Sequence, residues 1–227
     1  MLLSYFNQPY IAVIGDIKRS RSIKDREHVQ QTLKETLEFV NRQYQNDIAS
    51  NFTITLGDEF QALLANGACV MQILNKIKQT MYPIEIRFGI GIGGMRTEFQ
   101  RQISIGSDGP SYYMARSAIE YLKKNEQRNT VSASAIRIET DETNMAAVAL
   151  LNTILSLLSV IESQWSVRRR AVIFDMYEHN DSQSNVAARL GIEQPSVNRH
   201  LARGNYYTYI DAVRIVDETL GSIRRTL

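Results

Sequence analysis

The segment TITLGDEFQALL, residues 53–64, constrains the fold of this chain more than any other. Residues 53–56 and 60–64 are short runs of strand-forming side chains, and the Gly57-Asp58 pair between them predicts a tight hairpin turn. The acidic side chains of Asp58 and Glu59 therefore lie together at the tip of the hairpin. Because a turn Asp commonly hydrogen-bonds its own backbone, the tip alone leaves both a structural and a functional role open.

The segments around this hairpin predict a split βαβ arrangement. Residues 10–15, YIAVIG, form a continuous apolar run that is typical of a central strand, and the run ends at Asp16. Helical spacing of apolar residues follows over 26–44 and 67–81, and residues 84–92 read as another strand, so the order is βαββαβ. In this arrangement the first and third strands are neighbours at the sheet centre. We therefore expect Asp16 to meet Asp58 and Glu59 at one edge of the sheet.

Clustered carboxylates repel each other unless a cation neutralises them. At about 4 Å, one such pair costs up to ~4 kcal/mol at an effective dielectric constant of 20. A divalent cation, Mg²⁺ or Mn²⁺, together with a nucleotide phosphate would remove that cost. The nearby Lys18, Arg19 and Arg21 suit a triphosphate. The alternative is that all these groups are solvated loop charges.

Composition limits the class of protein. The 227 residues are 44% hydrophobic with a formal net charge of +2, which suits one large or two small globular domains. The single cysteine, Cys69, excludes a disulfide within the chain and fits a reducing, cytoplasmic environment. Residues 145–161 are apolar but short for a bilayer span. We expect them to form a buried or interface helix, with a membrane helix as the alternative.

The second half of the chain, after a polar joint near residue 140, is helical in pattern. We place a boundary there, between domains at 1–140 and 141–227. Residues 183–203, QSNVAARLGIEQPSVNRHLAR, predict a helix-turn-helix with Gly191 at its turn. If its second helix enters a major groove, the side chains that contact DNA are those of Gln194, Ser196, Asn198, Arg199 and Arg203. Residues 165–204 carry only six basic residues against four acidic ones, so protein contact and a purely structural role stay open.

Four segments in the same order resemble the SatD family of bacterial cytosolic proteins: GDIKRSR, TLGDEFQALL, RFGIGIGGM and IGSDGPSYYMARSAIEYL. More distantly, the first domain resembles the palm-type catalytic core of class III nucleotide cyclases and GGDEF diguanylate cyclases. The SatD resemblance implies a role in acid-stress tolerance, and the cyclase resemblance implies a homodimer.

The cyclase resemblance also implies roles for individual residues. Asp16 and Asp58 match the two metal-binding aspartates, with Glu59 beside them, and Arg116 can stand for the arginine that stabilises the transition state. The phosphates would be held at Ile17, Lys18, Arg19, Ser20 and Arg21. Two departures stand out: Tyr112 occupies the position of an Asn that class III cyclases carry, and Leu56 replaces the first Gly of GGDEF.

We therefore predict an α+β protein with a ferredoxin-like (βαββαβ) cyclase-type palm domain, followed by an all-α helix-turn-helix domain. The leading hypothesis is a cytosolic regulator that binds a Mg-nucleotide in the first domain and DNA through the second. One alternative is a divergent nucleotidyl cyclase or phosphoryl-transfer enzyme that uses two metal-binding aspartates. The other is a non-catalytic dimeric scaffold.

Overall fold

The computed structural model of this chain describes residues 3, 5, 8–55, 57–104, 106, 108–128 and 134–223. The strands are β1 (Tyr10–Ile17), β2 (Ile48–Ile54), β3 (Glu59–Leu64), β4 (Ile86–Gly93) and β5 (Ile136–Glu139). The first three helices, which alternate with the strands, are α1 (Arg26–Gln43), α2 (Val70–Met81) and α3 (Pro110–Arg128). The remaining helices are α4 (Met145–Ser163), α5 (Val167–His179), α6 (Gln183–Leu190), α7 (Gln194–Arg203) and α8 (Tyr206–Leu220).

The strands form one mixed sheet in the order β2-β3-β1-β4-β5. β1 pairs antiparallel with both β3 and β4, and β5 joins β4 in parallel. β1 lies at the centre of the sheet and is buried along nearly its whole length, as its continuous apolar run predicts. The α+β class and the pairing of the first and third strands are confirmed.

The sheet register brings charged residues together where β1 ends. Asp16 is opposite Glu59 of β3 on one side and opposite Arg87 of β4 on the other. The Ile17 N–H donates to the Asp58 carbonyl oxygen at 3.0 Å, which holds the hairpin tip against the end of β1. The predicted meeting of Asp16 with the hairpin tip is confirmed, and Arg87 joins it.

The glycines of β4 let a helix pack directly against the strand backbone. A Cβ atom on Gly89 would lie 2.2 Å from the Ala115 carbonyl oxygen of α3, and one on Gly91 would lie 2.0 Å from that of Ser111. Because glycine has no Cβ, this strand allows a close backbone approach that any other residue at these positions would prevent. It also brings α3 low over the sheet, so that its polar side chains reach the end of β1.

Some element boundaries differ from the sequence prediction. α2 begins at Val70 rather than at residue 67, because the Asn66 side chain accepts the Ala68 N–H at 3.0 Å and forms a local turn instead of a cap. Leu56 in the predicted hairpin lies outside the described residues. The same holds for residues 131–133, at the start of a last strand that the sequence pattern predicts over 131–138.

Helix α4, predicted as a buried or interface helix, is buried on one side only. It is long and apolar enough to cross a membrane by length and composition, yet only 22% of its most apolar window is buried. Its inner side packs on β5 and α8. The outer side leaves Met145, Leu150 and Leu157 exposed. The sequence shows the hydrophobicity of this helix but not which side of it meets the sheet.

The helical second half shares one core with the sheet and its helices. α8 packs against α2, where the Met71 N–H donates to Asp217 Oδ1 at 2.8 Å. Close by, the Gly67 N–H donates to the Ile223 carbonyl oxygen at 3.0 Å. The division into domains at residue 140 stays a prediction, and these contacts tie the two predicted domains together.

Candidate functional site

Asp16, at the end of β1, is held by two cations. Its side chain is only 6% exposed, and its Oδ2 accepts a hydrogen bond from Arg87 of β4. Its Oδ1 lies 2.8 Å from Lys123 Nζ of α3. Both carboxylate oxygens therefore have a charged partner within the protein.

Glu59, the acid opposite Asp16, is held by the same helix. Arg116 Nη1 donates to Glu59 Oε2 at 2.5 Å, and Lys123 Nζ lies 3.5 Å from Glu59 Oε1. Lys123 thus bridges two acids on adjacent strands. The repulsion that led us to predict a metal ion is relieved by side chains of α3.

Arg87 and Glu126 extend this cluster, which we call the sheet-end cluster: Asp16, Lys18, Glu59, Arg87, Arg116, Lys123 and Glu126. Arg87 donates to Glu126 as well as to Asp16, and Lys18 Nζ lies 2.7 Å from Glu126 Oε1. Burial opposes the charge on Arg87, but the hydrogen bonds and charges of Glu126 and Asp16 outweigh it and raise its pKa. Burial alone would raise the pKa of Glu126, but the hydrogen bonds and charges of Arg87 and Lys18 outweigh burial and lower it.

Sequence reasoning missed three members of this cluster, Arg87, Lys123 and Glu126. One signal was present: Arg87 lies between Ile86 and Phe88 inside the strand segment IEIRFGIGI, whose other charged residue, Glu85, precedes the strand. A buried strand seldom carries an unpaired charge, so this arginine required an acidic partner. Lys123 had no comparable signal, because a lysine on a helix surface is ordinary.

The loop after β1 holds the other predicted phosphate-binding residues. Ser20 Oγ donates to Asp58 Oδ2, so the hairpin acid and the loop are joined. Arg19 has a left-handed backbone (φ 52°, ψ 34°), and the side chains of Arg19 and Arg21 are exposed. The Ile17 and Lys18 N–H groups donate to the carbonyl oxygens of Asp58 and Glu85, respectively.

The acids at this sheet end do not fit a divalent ion as they are arranged. The described residues contain no group of three or more His, Cys, Asp or Glu side chains that could hold a metal. A metal ion would have to displace Lys123 or Arg87 to reach Asp16. The Mg²⁺ or Mn²⁺ site at Asp16, Asp58 and Glu59 stays a prediction.

The second candidate surface is formed by α6 and α7. Ser182 caps α6, its Oγ accepting the Asn185 N–H, and Gly191 ends this helix with φ 60°. Val197 and Leu201 of α7 are buried. Of the predicted DNA-contacting side chains, those of Gln194, Asn198, Arg199 and Arg203 are exposed, and that of Ser196 is half-buried.

Four arginines surround His200: Arg168 and Arg169 of α5, and Arg199 and Arg203 of α7. We call these four, which belong to both helices, the α7 arginines. Burial, followed by the positive charges of all four, lowers the pKa of His200. Two of them donate to neutral acceptors, Arg168 to the Leu190 carbonyl oxygen and Arg169 to that of Gln164. Within the described part of the chain, none of the four forms an ion pair. This surface therefore keeps its positive charge.

Comparison with solved structures finds weak likenesses. The guanylyl cyclase Cya2 is 15% identical, with a TM-score of 0.38, covering 62% of this chain and 78% of that chain. The catalytic core of a rhodopsin-guanylyl cyclase in complex with ATPαS is 13% identical, with a TM-score of 0.36, covering 49% and 71%. A regulator of polyketide synthase expression from Bifidobacterium adolescentis is 12% identical, with a TM-score of 0.27, covering 96% and 82%. Likenesses of this size say nothing about activity.

Comparison with curated proteins finds no match at a significant level. Comparison of the sequence with protein families, in contrast, identifies the family of this chain. A sequence model of the SatD family matches residues 10–219, which include the strands, the sheet-end cluster and the α6–α7 pair. The chain therefore belongs to the SatD family.

Proposed function

We propose that this SatD family protein is a regulator that binds DNA through α6 and α7 and a nucleotide at the end of β1. On this proposal, α6 and α7 form a helix-turn-helix, and the sheet with α1–α3 forms a ferredoxin-like palm domain. The observation that carries it is the cluster of α7 arginines without acidic partners among the described residues. DNA binding depends mainly on such cations, since each one that meets a phosphate releases counterions.

The acids of the helical half support this proposal because they are engaged away from α7. Asp175 and Asp181 both pair with Arg189, whose Nη2 and Nη1 lie 2.6 and 2.7 Å from them. Glu178 pairs with Lys76 of α2 at 2.5 Å. Only Glu193, at the start of α7, is exposed on this surface without an ion pair among the described residues. Counting charges along the sequence therefore underestimates how basic the surface is.

The side chains of α7 are of the types that read base edges. Asn198 and Arg199 are exposed one turn into the helix, and Gln194 is exposed at its start, where its Nε2 donates to Gln183 at 2.7 Å. Asn and Gln pair with adenine, and Arg pairs with guanine. Arg203, at the end of the helix, is suited to a phosphate.

The test is fluorescence anisotropy of a labelled random duplex over a series of NaCl concentrations. We expect binding that weakens steeply with salt. In Arg199→Ala and Arg203→Ala the salt slope should fall by about 0.9 for each phosphate that is no longer neutralised. The matched control is Arg214→Ala, because Arg214 is an exposed arginine on α8 that already pairs with Asp211 and Glu218. Absence of binding, or equal weakening in all three variants, would overturn DNA binding and leave protein contact as the role of α7.

Nucleotide binding is supported by the loop after β1. Lys18, Arg19 and Arg21 lie on one short turn, and Arg19 supplies the left-handed residue that is common where successive N–H groups face an anion. The anchor between Ser20 and Asp58 holds the loop at the hairpin tip. These groups suit a nucleotide's phosphates, and a homodimer would present two such loops.

The contacts of Asp16 and Glu59 favour binding over turnover. Lys123 pairs with Asp16, one of the two aspartates to which the cyclase resemblance assigns a metal ion, and with Glu59, which lies beside the other. Arg116, the candidate transition-state arginine, is paired with Glu59. A cyclase or phosphoryl-transfer reaction would require both cations to leave their partners.

Thermal unfolding with a panel of nucleoside triphosphates tests this half of the proposal. A ligand at about 100 times its dissociation constant adds ~2.7 kcal/mol of stability. We expect a shift that Asp58→Ala and Lys18→Ala reduce and that Lys24→Ala, an exposed lysine beyond the loop, retains. Running each sample with Mg²⁺ and with EDTA decides whether a metal ion takes part.

Two results separate the alternatives. A shift with a nucleotide that also changes DNA affinity supports the regulator, and product formed from the nucleotide supports the enzyme. If no nucleotide shifts the unfolding midpoint, the non-catalytic dimeric scaffold is the hypothesis that remains for the first predicted domain. DNA binding would survive that result, because it is tested independently.

A further inference from the structure

Asp217 is a buried carboxylate whose ionised form has no cation beside it in the described structure. The residue is 7% exposed and lies on α8 where this helix crosses the start of α2. The one hydrogen bond that its carboxylate accepts from a described residue comes from the Met71 N–H, at 2.8 Å to Oδ1. Buried carboxylates are normally paired with a cation, so this one is exceptional among the described residues.

The neighbours of Asp217 offer no compensating charge. The titratable groups close enough to feel its charge are Tyr44 after α1, Cys69 before α2 and Tyr177 of α5, and burial together with Asp217 raises the pKa of each. On α8 itself, Arg214 pairs with Asp211 and Glu218, at 3.5 and 3.2 Å, and is mostly exposed. Among the described residues, Asp217 therefore has no cation within ion-pair distance, and Arg214, the arginine of the same cleft, is engaged by two other acids.

An open cleft of about 500 Å³ leads to this carboxylate. Ala68, Ile210 and Val213 form its apolar part, and Tyr177 and Gln72 add polar groups. Arg214 and Glu218, which pair with each other, also line it. A volume of this size suits a small organic ligand. Apolar walls around one buried negative charge are complementary to a molecule with an apolar body and a single positive head.

We infer that this cleft binds a small protonated amine, with its ammonium group on Asp217 and its apolar part against Ile210 and Val213. The ammonium would supply the counter-charge that Asp217 lacks and could donate to the oxygen that the Met71 N–H does not use. The bound amine would also join α8 to α2, the contact between the helical half and the sheet. This site is separate from the sheet-end cluster and from α7, and it does not depend on the proposed function.

The test is thermal unfolding of the full chain at pH 8 with n-butylammonium chloride, at matched ionic strength, against 1-butanol as the neutral probe. We expect the amine to raise the midpoint and the alcohol to leave it nearly unchanged. Asp217→Asn keeps an acceptor for the Met71 N–H but loses the charge, so its response to the amine should disappear. The matched control, Glu218→Gln, removes the neighbouring exposed carboxylate and should keep the response.

The pH dependence gives a second readout. Burial raises the pKa of Asp217 from 3.8 to about 7. Since only the ionised form accepts the ammonium, the apparent dissociation constant should be about tenfold weaker at pH 6 than at pH 8. Ala68→Met, which narrows the cleft without touching the carboxylate, should weaken binding at both pH values.

Three outcomes would overturn the inference. The first is an equal response in Asp217→Asn, and the second is an equal response to 1-butanol. The third is a rise of the unfolding midpoint with the amine that is absent in wild type and is seen only when Arg224 and Arg225, outside the described residues, are both replaced by Gln. That result would assign the counter-charge to the chain's own end.

Discussion

The two charged regions of this protein use their charges in opposite ways. At the sheet end, Asp16, Glu59 and Glu126 are each held by arginine or lysine side chains from β4, α3 and the loop after β1. Around α7, four arginines surround His200, while Asp175 and Asp181 of the same half pair with Arg189. Paired charges in a buried position hold elements together, whereas unpaired surface charges are available to a partner. The difference indicates that the paired charges at the sheet end stabilise the fold, beside the loop proposed to bind a nucleotide, and that the charges around α7 are open to a partner.

The largest effect that tests this difference is expected from the removal of Arg87, whose side chain is 11% exposed. Arg87→Met would leave Asp16 with Lys123 alone and Glu126 with Lys18 alone. We expect a decrease of about 3–5 kcal/mol in the free energy of unfolding, because Asp16 Oδ2 and Glu126 Oε2 would lose their charged donor and removing one partner of a buried ion pair is costly. Urea denaturation measures it.

Arg116→Met is the control for that experiment. Arg116 also pairs with an acid of the cluster, but its side chain is 43% exposed. We expect a decrease below about 1 kcal/mol, as for other solvent-exposed ion pairs. Equal decreases in the two variants would mean that burial does not separate structural pairs from surface pairs here.

Asp217 is the third case, a buried charge without a cation, and it predicts a pH dependence of stability. Its pKa is about 7 in the folded protein and near 3.8 in the unfolded chain, so the folded state holds the proton more tightly. The stabilisation is fully present below pH 4 and is lost as pH rises to about 7. Over this range the loss approaches ~4 kcal/mol.

Urea denaturation of wild type and Asp217→Asn at pH 5 and pH 8 measures this effect. The variant cannot ionise at this position, so it should be the more stable protein at pH 8. Its stability should also change less between the two pH values. If both proteins have the same pH dependence, a described or terminal cation already compensates the charge.

The α7 arginines should behave in the opposite way to Arg87. The double variant Arg199→Ala, Arg203→Ala should change the free energy of unfolding by less than about 0.5 kcal/mol, because neither side chain has an ionic partner among the described residues. A decrease as large as that of Arg87→Met would show that these arginines are structural. Urea denaturation of this variant, run beside Arg87→Met, makes the comparison direct.

The smallest expected effect is on the pKa of His200, and it can be measured without any ligand. Arg169→Gln should raise the pKa of His200 slightly, since removing a nearby positive charge favours the imidazolium form. Added salt should also raise the pKa of His200 in wild type, and it should raise this pKa less in the variant. NMR titration of the His200 ring protons measures both, and an unchanged pKa would mean that burial alone lowers it.

Much of the framework could be predicted from sequence because its signals are local. The continuous apolar run before Asp16 predicts a central strand, and Gly57-Asp58 predicts the hairpin that sets Asp16 opposite Glu59. The α6–α7 pair is likewise predicted by spacing and by Gly191. The exposure of α4 could not be predicted in the same way, because an apolar composition does not say which side is covered.

The order of the elements, the neighbouring positions of β1 and β3, and the meeting of Asp16 with the hairpin tip thus follow from local sequence patterns. The cation that each acid meets follows from the packing of the whole fold. Arg87 is 71 residues from Asp16, and Asp217 is 146 residues from Met71. Such partners are chosen by how helices and strands pack, and the same packing sets how much water remains around each charge. Pairing and burial together decide whether a charge stabilises the fold or stays free for a ligand.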